Sequence, residues 1–106
     1  MRVLIVEDEL AARRGLSALL RELDPRIEVA GTAANGRHGL AQLSALTPEI
    51  AFIDMYMPEM DGLEMIRQAQ AQGLSTQFIL VTAYAEFNYA RKAMALGVKD
   101  YLLKPV

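Results

Sequence analysis

Residues 3–9 read Val3-Leu4-Ile5-Val6-Glu7-Asp8-Glu9: four apolar residues without polar alternation, then three carboxylates. A short apolar run of this kind suits a strand buried on both faces, as in a parallel sheet. The stretch therefore predicts a buried strand whose far end meets charge. Outward along the chain, similar runs return at Ile27 to Ala33, Ile50 to Ile53, Phe78 to Val81 and Tyr101 to Leu103. Between them apolar residues recur at helical spacing: Leu16, Leu19, Leu20 and Leu23; Leu40, Leu43 and Leu46; Leu63, Ile66 and Ala69; Phe87, Ala90 and Met94. The order is βαβαβαβαβ.

Turn chemistry agrees with that order. Asp24-Pro25 closes the first helix, Asn35-Gly36 opens the second, and Thr47-Pro48 ends it. Asp61 and Glu64 have the spacing of a capping box for the third helix, and Gly73 and Gly97 fall where the third and fourth helices should stop. Strands alternating with helices through short connections give an open, doubly wound α/β sheet. Its ligand crevice lies at the carboxyl ends of the strands.

Composition narrows the chemistry. The chain has 106 residues, 53% hydrophobic and 23% charged, which suits one folded domain. A net charge of -2 provides no basic field for nucleic acid, so no direct nucleic-acid binding is expected. With no cysteine, disulfides and thiolate zinc sites are excluded, and with the single histidine His38 a histidine metal cage or a Ser-His-Asp relay is hard to build. The longest apolar run is far short of the roughly 18 residues that span a bilayer. A soluble, cytoplasmic protein without membrane contact is expected, and any metal must take oxygen ligands.

Five polar residues stand at strand ends: Glu7 and Asp8 after the first, Asp54 after the third, Thr82 after the fourth and Lys104 after the fifth. Carboxylates gathered this closely repel, and one pKa rises unless a cation neutralises them. Mg²⁺, a hard cation held by a few carboxylates together with waters and phosphate oxygens, fits such a set. Lys104 and the Thr82 hydroxyl suit a phosphoryl group. Taken singly, each residue has a plainer explanation. Glu7 or Asp8 would favour the N-terminus of the next helix, Asp54 would suit a turn, Thr82 a strand, and Lys104 the solvated surface. Their joint placement on one edge favours a shared site.

These residues sit in four stretches: Val3 to Glu9 (VLIVEDE), Phe52 to Gly62 (FIDMYMPEMDG), Leu80 to Tyr84 (LVTAY) and Gly97 to Val106 (GVKDYLLKPV). In this order they resemble a response regulator receiver domain, the phosphoacceptor module of bacterial two-component signalling. The resemblance implies a flavodoxin-like sheet of order 2-1-3-4-5. It makes Asp54 the acceptor of a phosphoryl group from a sensor histidine kinase. Glu7, Asp8, Asp54 and the Tyr56 backbone carbonyl become ligands of Mg²⁺. Thr82 and Lys104 become the switch hydroxyl and the phosphate-binding lysine, and Tyr101 the aromatic residue that changes rotamer on activation. It also implies a cis Lys104-Pro105 peptide, Mg²⁺-dependent self-phosphorylation without enzymatic turnover, and homodimerisation through the fourth helix and fifth strand. YAEFNY at 84–89 with the ending DYLLKPV most resembles receivers joined to AraC-type DNA-binding domains, so a C-terminal transcriptional output domain is expected in the full-length protein.

Tyr56 and Tyr84 are bulkier than the residues that often flank such sites, and would restrict water and slow phosphoryl loss. Met55, Met57 and Met60 read as packing residues, and His38 as a surface residue. Three other readings compete. A flavodoxin-like cofactor binder needs a Gly/Ser/Thr-rich loop where Glu7-Asp8-Glu9 stands. An aspartate-nucleophile phosphatase usually carries a second aspartate where Tyr56 stands. A pseudo-receiver would keep the fold as an interaction surface without phosphorylation. Receivers normally continue past the fifth strand into a fifth helix, so residues 1–106 read as a receiver cut before its last helix, with apolar surface that favours association or lowers stability.

Overall fold

The computed structural model describes residues 1–83 and 87–104, apart from the side chains of Phe87, Tyr89 and Ala90. The strands are β1 (Arg2–Val6), β2 (Glu28–Ala33), β3 (Ile50–Asp54), β4 (Gln77–Thr82) and β5 (Asp100–Leu103). The helices are α1 (Leu10–Leu23), α2 (Gly36–Leu46), α3 (Gly62–Ala71) and α4 (Phe87–Ala95). All strand pairs are parallel, in the order β2-β1-β3-β4-β5. This is the doubly wound sheet that the alternation and the resemblance imply. The order reverses between β1 and β3, where such sheets open a crevice at their carboxyl ends.

Alternate residues of each strand serve opposite sides. Leu4, Val6, Ala51, Ile53, Phe78 and Leu80 pack with Leu43 of α2, with Leu63, Met65, Ile66 and Ala69 of α3, and with Ala93 of α4. Val3, Ile5, Phe52 and Val81 pack with Leu16 and Leu20 of α1. Each fully buried aliphatic side chain contributes roughly 1.5–3 kcal/mol. The edge strands β2 and β5 are only partly buried, unlike the central three. Met55 and Met57 are buried and Met60 packs against the larger cluster, so the three methionines act as core filling. His38 is exposed.

Among the described side chains, which leave out Phe87 and Ala90 of the fourth stripe, two apolar positions depart from the expected helical stripes. Leu23 is 69% exposed and Met94 59% exposed. The apolar cluster under α1 reaches Leu20 but not the helix's last residue. On α4, Ala93 rather than Met94 faces the sheet, and Val98 beyond the helix completes the packing.

Helix ends follow the turn residues. Asn35 Oδ1 accepts from the His38 N–H at 2.8 Å, and Asp61 Oδ1 from the Glu64 N–H at 2.9 Å. Each cap is worth about 1 kcal/mol. The capping box is half made, because the Glu64 carboxylate turns toward Arg67 and Gln68. Gly73 and Gly97, at φ of 74° and 82°, end α3 and α4 in the left-handed conformation that glycine adopts without strain.

Residues 55–61 fold back over the end of β3. The Met60 N–H donates to the Pro58 carbonyl at 2.7 Å, a three-residue turn that forces Glu59 to a φ of 68°. A side chain at that φ costs roughly 1–2 kcal/mol. Glu59→Gly should therefore stabilise the protein by about 1 kcal/mol once glycine's unfolded-state entropy is offset. Urea denaturation checks this, and an unchanged or lower midpoint counts against strain at Glu59.

Candidate functional site

Register brings the strand ends level. Val6 lies beside Ile53, Asp54 beside Val81, and Thr82 beside Leu103. The next residue of β1 is Glu7 and the next of β5 is Lys104, so one edge gathers Glu7, Asp54, Thr82 and Lys104. Backbone bonds pin it. Glu7 N–H donates to the Ala33 carbonyl at 2.9 Å, Met55 N–H to Val81 at 2.9 Å, and Lys104 N–H to Thr82 at 2.6 Å.

The ammonium of Lys104 lies 3.1 and 3.0 Å from the two Glu7 carboxylate oxygens and 3.3 Å from Asp54 Oδ1. Glu7 and Asp54 are 4% and 5% exposed, so both charges are nearly out of water. Asp8 is exposed, yet one carboxylate oxygen from each of Glu7, Asp8 and Asp54 lies within 4.8 Å of the others. One lysine thus faces a cluster of three acids. Burial first, then the charge and hydrogen bond of Glu7, push the Asp54 carboxyl up to about 7 against the opposing pull of Lys104. Burial alone would lower Lys104. The Glu7 hydrogen bond and the Asp54 and Glu7 charges outweigh it and raise its pKa.

The set of oxygens suits a hard divalent cation. Burial and the neighbouring Glu7 both disfavour an ionised Asp54, and a bound cation would relieve both. A cavity of about 280 Å³ opens beside the cluster, lined by Glu7, Asp54, Lys104, Leu16, Phe52 and Val81 among others.

The remaining predicted residues surround this centre. Thr82 is fully buried at the end of β4. Tyr101, beside Leu80 in register, is half-buried and packs against the cluster under α2 and α3. Tyr56 stands 37% exposed in the loop after Asp54. Tyr84 and the Lys104-Pro105 peptide lie outside the described residues.

Two contributors were not singled out from the sequence. The Gly62 N–H donates to the Met55 carbonyl at 2.8 Å, and a Cβ on Gly62 would stand 2.5 Å from the Asp54 carbonyl oxygen. Only glycine lets α3 start against the backbone that carries Asp54. Arg13 Nη1 donates to the Glu7 carbonyl at 2.8 Å. Its sequence signal was a cation one turn into the helix that follows the acidic run.

A parallel 2-1-3-4-5 sheet with an acidic cluster and a lysine at one edge places the chain among doubly wound α/β domains with a charged site at the carboxyl ends of the strands. Residues 3–106 match the response regulator receiver domain, and the chain belongs to that family. Transcriptional regulatory protein YesN of Bacillus subtilis is 36% identical over 104 residues, which cover 98% of this chain and 28% of that protein. A protein-glutamate methylesterase/protein-glutamine glutaminase of Nocardioides sp. is 39% identical over 107 residues, 99% of this chain and 29% of that protein. The chain thus spans under a third of the length of either relative. Among solved structures, the REC domain of AraT, a response regulator from Geobacillus stearothermophilus, superposes with a TM-score of 0.87 at 35% identity, covering 99% of this chain and 81% of that one. Among the described residues, no helix is long and apolar enough to cross a membrane.

The Asp54 shift links stability to pH. An unfolded aspartate titrates near 3.9, and the folded carboxyl at about 7. The folded state therefore binds the proton more tightly. The stability this confers is complete below about pH 4 and is lost as pH rises through 7. In chelator, Asp54→Asn should exceed the wild type by about 1–2 kcal/mol at pH 8, with the gap closing toward pH 4. Urea unfolding at both pH values measures it; a gap that does not change with pH would sink the idea.

Proposed function

We propose that this receiver domain takes a phosphoryl group on Asp54 from the phosphohistidine of a sensor histidine kinase, and that Thr82 and Tyr101 relay the change to an output domain. The observation that carries the reading is Lys104 bridging the buried carboxylates of Glu7 at 3.0 Å and Asp54 at 3.3 Å. A lysine so placed is within reach of any group attached to Asp54.

The ionised Asp54 carboxylate is the nucleophile. One of its oxygens bonds to phosphorus as the bond to the donor imidazole nitrogen breaks. The electron pair of that bond leaves with the imidazole, and an acyl phosphate forms. Glu7, Asp8, Asp54 and the Tyr56 carbonyl would hold Mg²⁺, which neutralises the acids and the charge that develops on the transferring group. Lys104 turns from Glu7 and Asp54 to the phosphoryl oxygens, and the Thr82 hydroxyl donates to another. The added charge of about -1.5 to -2 draws Thr82 toward the acyl phosphate. Tyr101, on the neighbouring strand, rotates into the space beside β4, and the face formed by α4 and β5 changes shape for a homodimer.

The domain holds its phosphoryl group and does not turn over substrate. Similarity to transcriptional regulatory protein YesN supports a DNA-binding output and a role in the cytoplasm. Similarity to a protein-glutamate methylesterase/protein-glutamine glutaminase favours an enzymatic output as the second reading. We assign residues 1–106 to the receiver alone.

Intact mass after incubation with acetyl phosphate and Mg²⁺ tests the central step. A gain of one phosphoryl group is expected in the wild type and none in Asp54→Ala. No gain in the wild type, from acetyl phosphate or kinase, leaves a receiver fold that works without phosphorylation. Tyr56 shields the site from water in this reading. Tyr56→Asn should shorten the half-life of the phosphorylated form several-fold, and an unchanged half-life removes that role.

A further inference from the structure

Glu7 is held at two points by two different cations. Lys104 Nζ takes its carboxylate at 3.1 and 3.0 Å, and Arg13 Nη1 donates to its backbone carbonyl at 2.8 Å in a part-buried contact. That carbonyl belongs to the peptide plane joining Glu7 to Asp8. Fixing its oxygen fixes the rotation of the plane, and with it the directions in which both carboxylates leave the backbone. The start of α1 offers no side-chain anchor of its own, because its N-cap residue Glu9 makes no capping bond. Arg13 reaches back from the helix instead, while its own N–H donates to the Glu9 carbonyl at 3.0 Å.

We propose that Arg13 is a positioning residue for the divalent cation: it presets the Glu7-Asp8 turn so that the two side chains converge with Asp54. The inference rests on the reading of the site given above. In that reading Lys104 leaves Glu7 for the phosphoryl oxygens. Arg13 is then the protein cation that still tethers Glu7, so its contribution is greatest when cation and phosphoryl group are both bound. A charged donor to a carbonyl is among the stronger hydrogen bonds, and partners that orient metal ligands typically change affinity by 10–100-fold.

Arg13→Met keeps the apolar stem and removes the donors. Arg13→Lys keeps one cationic donor. Arg14→Ala, at an exposed neighbour, is the control. Half-saturating Mg²⁺ is read in two ways, from the rise in melting temperature and from the rate of labelling by acetyl phosphate. Arg13→Met should raise it roughly tenfold, with the rate at saturating Mg²⁺ close to wild type. Arg13→Lys should recover part of the loss, and Arg14→Ala should match the wild type. An equal drop in melting temperature with and without Mg²⁺, and no shift in half-saturation, overturns the proposal and leaves Arg13 a stabilising residue only. A wild type that responds to Mg²⁺ beside an identical Arg13→Met removes this inference alone. A wild type with neither a Mg²⁺-dependent melt nor labelling removes the reading of the site and this inference with it.

Discussion

The ammonium of Lys104 between Glu7 and Asp54 is the interaction on which the edge of the sheet depends. Two carboxylates nearly out of water repel strongly, and removing the lysine between them would leave buried charge uncompensated, a loss that typically costs about 3–5 kcal/mol. The lysine directly follows β5, two strands away from β3, and the acids come from the last residue of β3 and the first residue after β1. The contact therefore forms only when the strands are in their observed order and level at their carboxyl ends. A slip of one residue in any strand would flip its side chains to the other side of the sheet and break the site together with the core.

That constraint explains where the protein carries its strain. Asp54 keeps its proton up to about pH 7 because it is buried and lies beside Glu7, and Lys104 offsets only part of that. Glu59 sits at a left-handed φ in the loop that covers Asp54. Gly62 lies where any Cβ would strike the Asp54 carbonyl. Unfavourable features of this kind gather at functional sites because the rest of the fold holds them in place. Here the two apolar layers of the sheet do that, and they are filled by ordinary Leu, Ile, Val and Met side chains.

Most of this was legible in the sequence. Apolar runs without alternation marked the central strands, since a parallel sheet buries both faces. The punctuation at Asn35, Asp61, Gly73 and Gly97 marked helix ends because each residue has a local physical reason to stand there. Glu7, Asp54 and Lys104 could be brought together from sequence because the carboxyl ends of parallel strands share one edge. What escaped depends on distance and direction rather than on residue type. Leu23 and Met94 obey helical spacing, but periodicity does not say how far the sheet extends beneath a helix. Glu64 has the spacing of a capping box, yet its carboxylate is drawn to Arg67 and Gln68 instead. Arg13 looks like any exposed helix arginine until its guanidinium is seen on the Glu7 carbonyl.

Lys104 also shows why a charge added at one strand end would be felt at another. Its side chain serves the acids, while its backbone N–H is bonded to the Thr82 carbonyl at 2.6 Å. In the proposed reading the ammonium moves to the new phosphoryl oxygens as the Thr82 hydroxyl does, but the backbone bond keeps β4 and β5 in register. The sheet then stays fixed and the change falls on side chains. Tyr101 lies beside Leu80 in the same pair of strands, one turn of the pleat away from Thr82. It packs against the cluster that includes Ala93 of α4. In the proposed reading Tyr101, on this fixed pair of strands and packed against that cluster, repacks between two discrete positions. A bistable contact of that kind would convert one covalent event into a change of surface without unfolding any element.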